Sequence, residues 1–121
     1  MKILIIEDDT AISKLYSVEL MTKGYTVEIC SNGEEGYTKA LTYLPDLILC
    51  DIMMPVLNGI ETLKKIRANE TTKNIPMLML TNFGQENLVK EAFNNGATDY
   101  ILKYQSTPAE VTEKVKQHVT S

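Results

Sequence analysis

Five short apolar runs punctuate the chain: ILII at 3–6, YTVEIC at 25–30, DLILCD at 46–51, PMLML at 76–80 and DYILK at 99–103. Between them the apolar positions change period. Ile12, Leu15, Tyr16, Leu20 and Met21 recur three and four apart, which predicts a helix with these residues on its inner face. Gly24 follows where a left-handed residue is favoured. The same reading predicts helices over 33–43, 58–69 and 84–94, with Pro45 and Gly96 as stops just past the first and last of these. The final helix has the best-marked start. Thr107 is its N-cap, Pro108 takes the first helical position and Glu110 completes a capping box, with Val111, Val115, His118 and Val119 facing inward. The polar stretch from Asn69 to Asn74 is expected to be a plain solvated turn. Strands that are apolar almost throughout belong to a parallel sheet covered on both faces, and strict alternation with helices demands right-handed crossovers. The expected fold is α/β, a doubly wound five-stranded parallel sheet with five helices on both faces, formed by one domain over residues 1–121.

Composition narrows the function classes more than it alters this fold. At 121 residues, 44% hydrophobic and 23% charged, the chain has material for one core and not for two. Cys30 and Cys50 lie on separate runs with neither CxxC spacing nor a nearby His, which points to two small buried hydrophobes in a reducing compartment. The apolar part of MKILIIEDD ends at Ile6, too short for a signal peptide or a membrane span, so a cytoplasmic protein with no membrane partner is expected. A net charge of −4 with Lys and Arg scattered singly leaves no basic stripe, and direct nucleic-acid binding is not expected.

The stretch LILCDIMMP, Leu47 to Pro55, sets Asp51 directly after four residues that read as protein interior. A carboxylate in such surroundings needs a partner or a task. In an open α/β sheet, ligands sit beyond the carboxyl ends of the strands. Those ends are Glu7, Asp8 and Asp9 on the first strand, Asp51 on the third, Thr81 on the fourth and Lys103 on the fifth. Asp8 and Asp9 facing Asp51 repel one another unless a cation neutralises them, and hard oxygen donors with room for water suit Mg²⁺. A phosphate-bearing donor can then approach, with Asp51 as nucleophile and with Lys103 and the Thr81 hydroxyl on the phosphoryl oxygens. Singly, each residue has a plainer explanation: a helix cap for Asp8 and Asp9, a solvated strand end for Lys103, a turn hydroxyl for Thr81, a packed aromatic for Tyr100. Their coincidence at four strand ends favours a site.

These residues and their intervals resemble, over essentially the whole chain, the receiver domains of two-component response regulators, in the chemotaxis-regulator-like single-domain form. The resemblance rests on IIEDD at the start, DIMMPVLNG after the third strand, LT at the end of the fourth and GATDYILK around the fifth. It implies the flavodoxin-like strand order 2-1-3-4-5. It also implies Asp51 as phosphoacceptor, Asp8 and Asp9 as the Mg²⁺ acids, and the backbone carbonyl of Met53 as a further ligand. Thr81 and Lys103 would be the phosphate-sensing pair and Tyr100 the aromatic that turns on switching, while Pro55 and Gly59 match the loop after the acceptor. The implied partners are a sensor histidine kinase or phosphotransfer protein as donor, and a downstream target or output domain. That partner would read the surface of the fourth helix, fifth strand and fifth helix, which is also the face expected for any homodimer. Such a protein is no enzyme in the ordinary sense, since it catalyses only its own phosphorylation and dephosphorylation. No output domain follows Ser121, so the expectation is a stand-alone receiver or one cut from a longer protein.

Two positions depart from the family pattern. Tyr104 stands where a cis-proline is usual, and because a non-proline cis bond costs about 2.5 to 4 kcal/mol, a trans Lys103–Tyr104 peptide is expected. Asn82 replaces a very small residue, which predicts slower phosphorylation by small donors. Met53 and Phe83, two residues beyond Asp51 and Thr81, offer no polar group to orient water, which predicts a long-lived aspartyl phosphate. Other classes fit less well. A phosphatase of the aspartyl-phosphate type wants a second acid where Met53 stands, and a flavin carrier wants a hydroxyl- and glycine-rich loop where EDDTAIS stands. The remaining alternative is a receiver-like interaction module that takes no phosphate.

Overall fold

Alternation of side chains along each strand builds the two sides of the core. The computed structural model describes residues 1–54 and 56–119, so Pro55 lies outside the described residues. Strands β1 (Lys2–Ile6), β2 (Thr26–Cys30), β3 (Leu47–Asp51), β4 (Met77–Thr81) and β5 (Asp99–Leu102) form one parallel sheet in the order β2-β1-β3-β4-β5. One face carries Ile3, Ile5, Leu47, Leu49, Leu78, Leu80 and Ile101 and packs on Ile12, Tyr16 and Leu20 of α1 (Thr10–Thr22) and Val111 and Val115 of α5 (Pro108–His118). The other face carries Leu4, Ile6, Ile48, Cys50, Met77 and Met79 and packs on α2 (Gly33–Tyr43), α3 (Gly59–Ala68) and α4 (Glu86–Asn94). All five residues of β3 and of β4 are buried, which is why these runs carry no polar alternation before their ends. Each fully buried Leu or Ile there contributes roughly 1.5 to 3 kcal/mol relative to exposure. The doubly wound fold and its strand order are as expected.

The capping chemistry also reads through. Thr107 Oγ1 accepts from the Glu110 N–H at 3.1 Å while Glu110 Oε1 accepts from the Thr107 N–H at 2.9 Å, and Asn58 and Glu61 make the same reciprocal pair at the start of α3. Gly24 and Gly96 take positive φ past α1 and α4, as their positions predict.

Three expectations need correction. Leu15 and Met21 are 53% and 50% exposed; they form an outer stripe of α1 with Val18, and the inward row is Ile12, Tyr16 and Leu20 with Ser13 and Ser17 buried beside it. The four-spaced row faces the sheet, and the small serines do not mark it as apolar. His118 is not a core residue. Its Nε2 lies 2.9 Å from Asp99 Oδ2, which Lys114 Nζ also meets at 2.9 Å, so α5 is tied to β5 by polar contacts. The 69–74 turn is not plainly solvated either: Thr72 is fully buried and its hydroxyl donates to the Ile66 carbonyl at 2.8 Å. Arg67 gathers the Gly96, Lys73 and Ile75 carbonyls at 2.9, 3.0 and 2.6 Å and so closes this end of the sheet. Both cysteines are buried thiols. Among the described residues no helix is long and apolar enough to cross a membrane.

Candidate functional site

Strand register brings the ends of β1 and β3 together. Ile6 pairs with Cys50, so Glu7 and Asp51 follow side by side, 1% and 3% exposed. Lys103 follows β5 and is 8% exposed. Its Nζ lies 2.6 Å from Glu7 Oε1 and 3.2 Å from Asp51 Oδ2. The ammonium is therefore shared between two buried carboxylates. The Lys103 main chain is held from both directions, with its N–H donating to the Thr81 carbonyl at 2.8 Å and its carbonyl accepting the Tyr16 hydroxyl at 3.0 Å. The described backbone contains no cis peptide, so Lys103–Tyr104 is trans as predicted. The Tyr104 ring lies 6.0 Å from Lys103 Nζ, and its hydroxyl donates to Asp9 Oδ2 at 3.4 Å.

Asp8 is exposed, and one carboxylate oxygen each from Glu7, Asp8 and Asp51 lies within 4.8 Å of the others. Asp9 is not in this group. Its Oδ1 accepts from the Ala11 and Ile12 N–H groups at 3.0 and 3.2 Å, because a helix beginning at Thr10 takes the residue before it as N-cap. Where sequence spacing pairs Asp8 with Asp9, the structure pairs Asp8 with Glu7. The Met53 N–H donates to Asp51 Oδ1 at 3.4 Å, and its side chain is 55% exposed. After exposed Val56, which has φ +72°, the chain returns so closely that the Gly59 N–H meets the Ile52 carbonyl at 2.8 Å. A Cβ at Gly59 would collide with the Asp51 carbonyl, so only glycine lets this loop close on the end of β3.

Burial, followed by the contact with Asp51, pushes the Glu7 carboxyl up to about 8 against the opposing pull of Lys103. Burial works against the Lys103 ammonium, but Glu7 and Asp51 outweigh it and hold its pKa above the ordinary lysine value. Although Glu7 Oε1 is close to that ammonium, it makes no well-directed hydrogen bond. One oxygen from each of three carboxylates, all within 4.8 Å of one another and with Asp8 open to solvent, is a donor set that fits a hard divalent cation such as Mg²⁺.

The end of β4 is built differently. Thr81 is 1% exposed, and its hydroxyl donates to Gln85 Oε1 at 2.7 Å; the Asn82 N–H donates to the same oxygen at 2.8 Å. Tyr100 is 39% exposed and stands edge-on to Phe93 with ring centroids 6.2 Å apart. A cavity of about 190 Å³ lies between Thr81, Gln85, Val89, Tyr100 and Leu102. Glu7 and Gln85 are the two site residues to which sequence reasoning assigned no role. The alternation of Ile3 and Ile5 continues to Glu7 and could have found it; Gln85 carries no comparable signal.

The family profile described as response regulator receiver domain matches residues 3–116. The chain belongs to that family. It is 42% identical over 102 residues to the DNA-binding dual master transcriptional regulator RpaA of Synechocystis, covering 84% of this chain and 42% of that protein. The chemotaxis protein CheY4 of Vibrio cholerae matches with a TM-score of 0.91 at 30% identity, covering 98% of both chains. The receiver domain of sensor histidine kinase PA1611 from Pseudomonas aeruginosa, solved with a magnesium ion coordinated in its active site cleft, matches with a TM-score of 0.89 at 27% identity, covering 99% of this chain and 98% of that one. The chain spans about half or less of the length of the curated relatives it matches. As a receiver domain it is a signalling module of two-component systems and not a conventional enzyme.

Proposed function

We propose that this receiver domain, a single cytoplasmic unit over residues 1–121, takes a phosphoryl group on Asp51 from a sensor histidine kinase or phosphotransfer protein. The reading is carried by one observation: Asp51, buried at the end of β3, is held against Lys103 beside the carboxylates of Glu7 and Asp8. Glu7, Asp8 and Asp51 would hold Mg²⁺, with the Met53 carbonyl as a further ligand, while Asp9 keeps α1 capped. When bound, the ion neutralises the acids so that an anionic donor can approach.

An Asp51 oxygen forms the new O–P bond as the P–N bond of a phosphohistidine breaks, its electron pair staying on the imidazole. Lys103 balances charge on the phosphoryl oxygens and the Thr81 hydroxyl donates to one of them. Tyr100 then turns into the cavity beside Thr81, which alters the face of α4, β5 and α5 that a downstream target, an output domain or a second copy reads. The phosphoryl group biases the two states only through contacts that differ between them. Met53 and Phe83, 55% and 78% exposed, present no group to place a water, which supports slow hydrolysis. Asn82 is exposed beside Thr81, and its bulk is expected to slow small donors.

The test is incubation with acetyl phosphate, with and without Mg²⁺, followed by intact mass of wild type and Asp51→Asn. One added phosphoryl group in the wild type, dependent on Mg²⁺ and absent from the variant, is expected. No modification with any donor would leave the interaction-module reading in its place.

A further inference from the structure

The hydrogen bonds of Thr81 carry an inference that rests on the role just given to its hydroxyl. A hydroxyl has one proton. Gln85 presents a single oxygen to two groups, the Thr81 Oγ1 at 2.7 Å and the Asn82 N–H at 2.8 Å. An N–H can only donate, so the Gln85 atom facing Asn82 is the amide oxygen and not its NH₂. The Thr81 hydroxyl is then the donor in its own contact, and at 2.7 Å that contact takes its proton ahead of the Asn82 carbonyl, the longer alternative acceptor at 3.3 Å. Gln85 immediately precedes α4 yet makes no side-chain capping bond to that helix, so these two contacts define what its amide does. The same side chain lines the cavity shared by Thr81 and Tyr100.

We infer that Gln85 is a positioning residue, an internal acceptor that occupies the Thr81 hydroxyl and the Asn82 N–H until a phosphoryl oxygen on Asp51 replaces it. The Thr81 proton must leave Gln85 before it reaches the phosphoryl group. Gln85 thereby sets the threshold of the switch, and the start of α4 is released in the same exchange.

Initial rates of phosphoryl uptake from acetyl phosphate and Mg²⁺, read by intact mass, test this in wild type, Gln85→Ala and Gln85→Glu. The exchange rate of the Asn82 amide is followed by NMR in the unphosphorylated proteins. Two modest hydrogen bonds no longer oppose the switch in Gln85→Ala, so uptake about three- to tenfold faster is expected, with faster Asn82 exchange. Gln85→Glu keeps the acceptor and adds charge, and is expected to be slower than wild type. In a Thr81→Val background, where only the Asn82 contact remains to be released, Gln85→Ala should accelerate uptake by clearly less than in the wild-type background, which a merely structural role would not produce. Equal rates in Gln85→Ala and wild type, unchanged Asn82 exchange, or the same acceleration without the Thr81 hydroxyl would overturn the inference alone. Absence of uptake in every protein would overturn the acceptor reading and this inference with it.

Discussion

The strand ends of β1, β3 and β5 and those of β4 and α4 satisfy their polar groups in opposite ways. On the first side, Asp51 and Lys103 form a buried ion pair joined by Glu7, whose carboxyl is pushed up to about 8; all three are under 9% exposed, and the Lys103 backbone is pinned by Tyr16 and Thr81. Any rearrangement there exposes an uncompensated buried charge, which is strongly unfavourable. On the second side, neutral hydrogen bonds run from Thr81 and Asn82 to Gln85, beside a cavity and a half-exposed Tyr100. Each is worth about 1 kcal/mol net, which the charge-assisted contacts of a phosphoryl group can overcome. The proposed chemistry would thus be seated where the fold resists change, and the proposed response where it yields.

Lys103→Met strikes the rigid side hardest. It leaves Glu7 and Asp51 facing each other without a cation, and is expected to abolish phosphoryl uptake and to cost about 3 kcal/mol in urea unfolding at neutral pH. Unchanged stability would show that the two acids do not depend on the ammonium. Tyr16→Phe is milder, since it removes only the hydroxyl on the Lys103 carbonyl; a loss of about 1 kcal/mol with an unchanged m-value is expected, together with slower uptake. Uptake at the wild-type rate would mean that the Lys103 backbone needs no such anchor.

The smallest effect is set by Asp99, at the far end of β5 from Lys103. Burial raises its pKa, but hydrogen bonds from Lys114 and His118 outweigh this and hold it below the ordinary carboxylate value. The folded chain therefore binds this proton less readily than the unfolded chain. The stabilisation is present above the unfolded pKa and is lost as pH falls through the lower folded one. Asp99→Asn should be less stable than wild type near neutrality by under about 1 kcal/mol, with the difference vanishing in acid, and should leave the initial rate of uptake at Asp51 unchanged. Urea titrations at several pH values check the first part, and a slowed rate would show that the two ends of β5 are coupled.

The fold was legible because β3 and β4 are apolar throughout and because Gly24, Gly96, Thr107 and Pro108 mark helix ends in local chemistry. On α1 the sequence offers two candidate rows, and periodicity cannot choose between them: burial went to Ile12, Tyr16 and Leu20, with serines between. Asp51, Thr81 and Lys103 stand at strand ends and could be picked out by position. In EDD, the residue that joins Asp51 depends on where the strand stops and the helix cap begins, which places Glu7 inside and Asp9 on the cap. Gln85 was invisible, since its contacts exist only once the chain has turned out of β4 towards α4.

The division into a rigid acceptor and a yielding reader joined through Thr81 is tested most directly by following the Tyr100 ring by NMR. Wild type and Thr81→Ala are treated with Mg²⁺ and acetyl phosphate, and intact mass reports modification in the same samples. A phosphoryl group is expected on both proteins, with the Tyr100 resonances displaced in the wild type alone. Equal displacement in phosphorylated Thr81→Ala, or a wild type that takes no phosphoryl group, would contradict it.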